Sequence, residues 1–266
     1  MRRVVVYDVP NGAHVGVITF NSAGRTVAPL TFIDSEDSDM RQRVGSSLPR
    51  NPSAVRESQK CILCGLEQVT KVLGNDKKFG RECIVILITT GSSPTSEEDV
   101  AKMISLTEQN NLRIEVVLYP LTEHRSTAPT YHGLETLVKS TRGSIFTVMD
   151  EGVGNDSKLK MMVALMDALL AAVQSSVPPS SPGGPVLVHS ADYPGGIASS
   201  STGIFAVDDS LGHDARFSVY YYDLNHVGNA IHLTAPSGHM IASLNVQEED
   251  GDVNMIFINL GKAEVN

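Results

Sequence analysis

Three cysteines are the first residues whose type and spacing suggest chemistry. Cys61 and Cys64 stand in a Cys-x-x-Cys spacing at the start of a predicted helix, and Cys83 opens an apolar run. Such a spacing is typical of thioredoxin-like redox sites or of one half of a zinc site. Zinc takes four ligands, and the sequence offers no evident fourth partner. We therefore predict buried structural thiols, because three cysteines are too few, and odd in number, for a disulfide framework.

Acidic clusters are the next candidates, and they suggest calcium binding. Residues 34–39 read Asp-Ser-Glu-Asp-Ser-Asp, but they lack the glycine and the distal glutamate of an EF-hand loop. Asp208, Asp209 and Asp214 stand among turn-forming residues, which favours turn chemistry. The sequence also lacks the Gly-x-Ser-x-Gly and Gly-x-Gly-x-x-Gly patterns of hydrolases and dehydrogenases. We predict no enzymatic activity and no cofactor.

Composition narrows the classes of partner. The 266 residues carry a formal net charge of −9, which argues against a nucleic-acid surface. No apolar run approaches the ~20 residues that cross a bilayer. The apolar stretch within residues 1–16 is too short for a convincing signal peptide.

The elements that position these residues alternate between strand and helix over residues 1–174. The predicted strands are 13–20, 27–33, 83–88, 113–119 and 144–148, and the first of them is expected to be buried. The predicted helices are 37–48, 61–73, 96–111, 133–140 and 157–174, and we expect Ser96 to cap the third, with acidic residues in its first turn. Cys83–Ile88 is continuously apolar, as expected for a parallel strand that is covered on both faces. The pattern predicts an α/β fold, a three-layer Rossmann-like sandwich with a mainly parallel sheet.

The amino-acid composition changes at residue 175. Residues 175–201 are rich in Pro, Gly and Ser, which predicts a linker. Beyond it, residues 202–266 show short strand-like runs separated by turn signals, at 203–207, 215–223, 230–234, 240–246 and 254–260. This spacing predicts a small antiparallel β-sandwich domain.

Six stretches carry a family resemblance: HVGVITFNSAG (14–24), CILCGLEQV (61–69), IVILITTG (84–91), RSTAPTYHGLETLVKSTRGSIF (125–146), TGIFAVDDSLGHDARFSV (202–219) and LTAPSGHMI (233–241). Through them the chain resembles the calcium-activated chloride channel regulators. These secreted or membrane-associated proteins carry a metalloprotease-like region, a von Willebrand factor A-type (VWA) domain and β-domains. The resemblance implies a VWA domain that lacks its first strand, followed by a β-domain without its last strand, and hence a chain truncated at both ends.

The resemblance also implies a degenerate metal site. Neither the Asp-x-Ser-x-Ser loop of adhesive VWA domains nor the His-Glu-x-x-His protease motif occurs. Lys60 stands at or near the position of the family's threonine ligand, and Thr90 stands where an aspartate is expected. A cation beside Lys60 would face an ammonium group. We therefore expect no metal at this site, and we expect the remaining binding contacts at its loops, namely Ser58, Gln59, Lys60, Thr89, Thr90 and Ser92.

Two functions follow from these observations. The resemblance implies a non-enzymatic interaction module that modulates chloride conductance through a protein partner, such as a chloride channel or another cell-surface protein. It implies an extracellular or cell-surface location. The alternative is a truncated, non-functional or decoy remnant of a longer regulator, because a parallel sheet without its central strand leaves edges prone to aggregation.

Overall fold

The computed structural model describes sixteen segments of the chain: residues 2, 4–34, 38–48, 61–74, 83–90, 96–119, 132–148, 155–176, 191, 202–204, 215–221, 232–234, 237–238, 240–242, 245–247 and 254–260. The chain divides into two compact units. Unit 1 comprises residues 1–150 and 164–185, and unit 2 comprises residues 151–163 and 186–266.

Unit 1 begins with a π-helical turn, Val4–Asp8, and an antiparallel hairpin. Its described elements are, in chain order, β1 (His14–Phe20), β2 (Gly24–Phe32), α1 (Ser38–Ser46), α2 (Ile62–Leu73), β3 (Cys83–Thr89), α3 (Glu97–Gln109), β4 (Leu112–Leu118), α4 (His132–Ser140), β5 (Ile145–Thr147) and most of α5 (Asn155–Ser176). The strand-helix alternation that the sequence predicts over residues 1–174 is confirmed.

A parallel sheet of order β3-β4-β5 forms the centre of this unit in the described residues. The register aligns Cys83 with Leu112 and Thr89 with Leu118. Ile114, Val116 and Val117 are fully buried, because helices cover the sheet on both faces. The apolar run Cys83–Ile88 forms the predicted parallel strand, but of these six residues only Leu87 is buried and the others are half-buried.

Side chains along β4 alternate between two cores, and this alternation shows three layers: helices, sheet and helices. Ile114 and Val116 belong to a core with α2, α3 and α4, whereas Val117 belongs to a second core with α5 and Val4. Successive side chains of a strand point to opposite faces, so the two cores lie on opposite sides of one sheet. The fold is the VWA-like α/β sandwich that the sequence predicts.

The β1–β2 hairpin is less buried than the parallel sheet. β1 pairs with β2 alone within the described residues, with register shifts between Val15 and Ile18. Its side chains are half-buried or exposed, so the prediction of a buried strand at residues 13–20 is wrong in burial and right in position. Pro29 is exposed in β2, where an edge strand tolerates proline.

Unit 2 contributes short strands, together with the first turns of α5. They are β6 (Ala215–Tyr221), β7 (His232–Thr234), β8 (Met240–Ala242), β9 (Asn245–Gln247) and β10 (Asn254–Leu260). The described residues form an antiparallel sheet β6-β10-β9 and a pair β7-β8. Gly203 and Ile204 lie outside any strand, contrary to prediction, and the remainder of 203–207 lies outside the described residues. The β-sandwich itself stays a prediction.

Candidate functional site

The carboxyl ends of the parallel strands meet at one edge of the sheet. The backbone N–H of Tyr119 donates to the carbonyl of Thr89 over 2.9 Å, and that of Val148 donates to the carbonyl of Leu118 over 2.9 Å. These bonds hold the starts of the loops that leave β3, β4 and β5 side by side. In open α/β sheets this edge is where ligands bind.

The predicted binding residues are only partly placed. Thr89 ends β3 and is 6% exposed, whereas Thr90 follows it and is half-buried. Both lie at the carboxyl edge of the sheet, and their part in binding, which the family resemblance implies, stays a prediction. Ser58, Gln59, Lys60 and Ser92 lie outside the described residues. Their part in binding stays a prediction.

Helix α3 starts at the same edge, because it follows β3 and returns to the opposite edge. Ser96 caps the helix, and its Oγ accepts the N–H of Asp99 over 3.1 Å. Capping by Ser96 was predicted and is confirmed. The helix ends at Asn110–Asn111, where the carbonyl of Asn111 accepts the N–H of Cys83 at the amino end of β3. The two ends of α3 therefore mark the two edges of the sheet.

The first turn of α3 is acidic. Glu97, Glu98 and Asp99 surround the helix N-terminus, where negative charge complements the helix dipole. Glu98 also pairs with Lys102 over 2.8 Å, and this hydrogen bond and charge raise the pKa of Lys102. The pair is exposed and contributes little stability. Because three carboxylates stand beside one ammonium group here, the start of α3 presents a negative surface to solvent.

Helix α2 begins at a disulfide, and here the sequence prediction is wrong. Cys61 and Cys64 form a bond with the Cα atoms 5.2 Å apart, whereas we predicted buried structural thiols. Both residues are half-buried. The odd count of cysteines led to the error, since Cys83 lies outside any disulfide and the remaining two pair with each other.

Cys61 is also the N-cap of α2. Its Sγ accepts the N–H of Cys64 over 3.1 Å, in place of the usual serine or aspartate oxygen. Its own N–H donates to the carbonyl of Asn21 over 2.6 Å. The start of α2 is thus fixed to the β1–β2 turn, residues 21–23.

A close backbone approach tightens the same junction. A Cβ atom on Gly24 would lie 2.3 Å from the carbonyl oxygen of Cys64 and 2.6 Å from Cβ of Gln68. Further along, Gln68 Nε2 donates to Thr26 Oγ1 over 2.9 Å. Gly65 lies against the ring of Phe20. We call this contact of α2 with the hairpin the α2–hairpin junction.

A buried charge network lies within β4. Glu115 is fully buried, and its Oε1 accepts Nε and Nη2 of Arg113 over 2.7 and 2.6 Å. Glu115 Oε2 accepts the N–H of Ser144 over 2.7 Å, and Arg113 Nη2 also donates to the carbonyl of Ser175 over 2.5 Å. Every partner is satisfied, which a buried charge requires. The arrangement links β4 to α5 and to the start of β5.

Two further properties bear on function. Within the segments that the structure describes, no three His, Cys, Asp or Glu side chains are grouped so that they could hold a metal ion. No helix among those same segments is sufficiently long and apolar to cross a membrane.

The comparison with protein families identifies the class. The von Willebrand factor type A domain family matches residues 2–157, which is more than half of the chain. The chain therefore belongs to the VWA family. VWA domains are generally protein-interaction modules and not enzymes. No curated protein matches the sequence significantly.

Solved structures are similar over most of their length, at low identity. An aerotolerance-related membrane protein from Bacteroides fragilis, with multiple mutations to serines, is 15% identical, with 65% of this chain and 86% of that chain covered and a TM-score of 0.41. BatB, a conserved hypothetical protein from Bacteroides thetaiotaomicron, is 16% identical, with coverage of 63% and 86% and a TM-score of 0.42. The SpRpn10 VWA domain is 14% identical, with coverage of 59% and 71% and a TM-score of 0.35.

Proposed function

We propose that the chain is a non-enzymatic interaction module that binds a protein partner through the carboxyl edge of its parallel sheet. The observation that carries this proposal is the alignment of the ends of β3, β4 and β5 by the bonds from Tyr119 and Val148. Thr89 and Thr90 belong to this edge, and Ser58, Gln59, Lys60 and Ser92 join it in the proposal. Binding proceeds without a metal ion.

The nature of the partner rests on the sequence resemblance alone. The stretches at 202–219 and 233–241 carry the most specific motifs of the calcium-activated chloride channel regulators. In the proposal, the chain acts at the cell surface and modulates chloride conductance through contact with a channel or an associated surface protein. The division into residues 1–174, a linker 175–201 and a β-domain 202–266 is part of the same proposal.

Photo-crosslinking from the two ends of α3 tests the binding edge. A photoreactive phenylalanine at Glu97 stands at the carboxyl edge, and the same residue at Gln109 stands about 18 Å away along the helix. Both positions are exposed, so the pair is matched. On cells that express a calcium-activated chloride channel, we expect a covalent adduct from position 97 and none from position 109. Equal yields from both positions would contradict the assignment of the edge.

Whole-cell recording tests the partner. The purified chain, added to the same cells, should change the calcium-activated chloride current, and a chain with Glu97→Arg should change it less. An adduct without any change in current would support the interaction module and contradict chloride regulation. A change in current with no adduct from position 97 would support chloride regulation and contradict the carboxyl edge as the binding site.

A decoy or non-functional remnant is the second candidate, favoured by the strand edges. Within the described residues β3 pairs with β4 alone. Alternate residues of a parallel strand bond to one neighbour, so the backbone groups of Ile84, Ile86 and Ile88 face away from β4. Such an edge promotes association between chains. Light scattering and urea unfolding test it, since a monomer that unfolds cooperatively contradicts the remnant.

A further inference from the structure

The disulfide at the start of α2 combines three properties that a purely structural bond does not need. It joins residues only three positions apart, it lies at a helix N-terminus, and both cysteines are half-buried. A bond that closes so short a loop restricts the unfolded chain little, so its loss leaves most of the stability in place. The fold can therefore survive both its closed and its open form.

The surroundings of the two sulfur atoms differ. Cys61 Sγ accepts the N–H of Cys64 over 3.1 Å at the positive end of α2. Both features stabilise a thiolate, as they do for reactive cysteines at helix N-termini. Cys64 Sγ lies 3.5 Å from the carbonyl oxygen of Ser22, in an exposed contact. Cys61 is therefore the better leaving group, and Cys64 is the sulfur that an incoming thiolate attacks.

Cys83 provides a contrast within the same protein. It packs against the core that contains Ile62 and Leu66, and burial raises the pKa of its thiol. A protonated thiol is a poor nucleophile. Cys83 is half-buried like the other two cysteines but lies outside any disulfide, so the exchange concerns Cys61 and Cys64.

We propose that Cys61–Cys64 is a redox-active disulfide that exchanges with a dithiol, such as that of a reducing protein or dithiothreitol, and that its state sets the order of the β1–β2 turn. This inference goes beyond the proposed interaction function and does not depend on it.

The exchange proceeds in two steps. A thiolate of the reductant attacks Cys64 Sγ, forms a mixed disulfide and breaks the Cys61–Cys64 bond, whose electron pair passes to Cys61 Sγ. The second thiol of the reductant then attacks its own sulfur in the mixed disulfide and releases Cys64. Two electrons move to the protein and the reductant becomes a disulfide; the proton of its second thiol passes to Cys64, and Cys61 is released as a thiolate that takes a proton from water only below its own pKa.

Reduction changes the α2–hairpin junction through Ser22. The oxidised Cys64 sulfur carries no hydrogen and only contacts the Ser22 carbonyl, whereas the reduced thiol can donate to it. At the same time the first turn of α2 loses its covalent constraint. The bond from the Cys61 N–H to Asn21 and the bond from the Ala23 N–H to Asn21 Oδ1 lie directly beside this change.

Redox titration of the full-length chain tests the exchange. A Cys83→Ser variant leaves only the pair, and is equilibrated with mixtures of reduced and oxidised dithiothreitol, quenched with acid and counted by mass after alkylation. We expect the reduced fraction to rise from about one tenth to about nine tenths over about a hundredfold change in the ratio, with unchanged circular dichroism. Reduction that occurs only in denaturant, or only with loss of the dichroism signal, overturns the proposal.

Alkylation and hydrogen exchange test the two mechanistic parts. At pH 6.5, Cys61 in the Cys64→Ser background should be alkylated about tenfold faster than Cys64 in the Cys61→Ser background. Equal rates overturn the role of Cys61 as the stabilised thiolate. On reduction, amide exchange at Cys61 and Ala23 should rise about threefold or more, with Val116 as the unchanged control. Unchanged exchange at Cys61 and Ala23 overturns the coupling to the turn.

Discussion

The α2–hairpin junction and the parallel sheet lie in one unit but are built in different ways. β4 is buried over nearly its whole length, and its one internal charge pair is fully satisfied. β1 is half-exposed, and the junction depends on a disulfide, a glycine contact and single polar bonds such as Gln68–Thr26. We infer that the sheet sets stability, whereas the junction is the part that can change state without unfolding the chain.

The largest expected effect lies in the sheet. Glu115→Ala removes the carboxylate that pairs with Arg113, so the guanidinium loses its opposite charge and the N–H of Ser144 loses its acceptor. Breaking one side of a buried pair costs about 3–5 kcal/mol. We expect urea unfolding to show that loss, with Glu108→Ala on the exposed face of α3 as the control. A loss below about 1 kcal/mol would mean that the sheet does not dominate stability.

A smaller effect is expected at the junction. Gly24→Ala places a methyl group 2.3 Å from the Cys64 carbonyl oxygen, so α2 and the hairpin must separate slightly, at a cost of about 1–3 kcal/mol. Gly16→Ala in the same hairpin meets only ordinary contacts of 3.5 Å or more and should change the free energy of unfolding by less than about 1 kcal/mol. Thermal unfolding of both variants measures the difference. Equal losses of unfolding free energy in the two variants would show that the close approach at Gly24 does not hold the junction.

The smallest effect concerns Cys83 and pH. Burial raises the pKa of this thiol above its ordinary value of 9.0. Below pH 9 the thiol is protonated in both the folded and the unfolded chain, so stability does not depend on it. As the pH rises through 9, the unfolded chain ionises first, and the contribution of Cys83 to stability is lost up to the folded pKa.

Urea unfolding of the oxidised chain from pH 8 to 10 measures this loss, with Cys83→Ala as the control. The wild-type chain should lose more stability over this range than the variant does. Identical pH profiles would show that Cys83 does not titrate differently in the folded chain.

The sequence predicts the sheet better than it predicts the junction. Continuous apolar runs identified β3, and the Ser96 cap with its acidic first turn identified the start of α3, because these signals are local. The burial of Glu115 escaped prediction, since its partner Ser144 is distant in sequence, as is Ser175, which binds Arg113. One charge in an apolar strand also carries no periodic signal. The disulfide escaped for another reason, because Cys-x-x-Cys suits a metal, a thiol pair and a disulfide equally.

In the candidate site, too, local features could be predicted from the sequence and contacts between distant segments could not. The sequence pattern shows where the apolar strand ends, at Thr89 and Thr90, but their choice as binding residues came from the family resemblance and stays a prediction. The contact of Gly24 with Cys64 could not be predicted, since it joins two segments forty residues apart and involves only backbone and a hydrogen atom. Ser58, Gln59, Lys60 and Ser92 rest on the family resemblance and stay predictions.

The bond between Arg113 and the carbonyl of Ser175 has a mechanical consequence. Ser175 stands one residue before the end of α5, where the chain continues towards residue 177 and beyond. A pulling force on that continuation meets Arg113 first, and Arg113 passes the load through Glu115 to Ser144 and the buried strands. The last turn of α5 is thus a tether that resists a force applied through the chain that follows it.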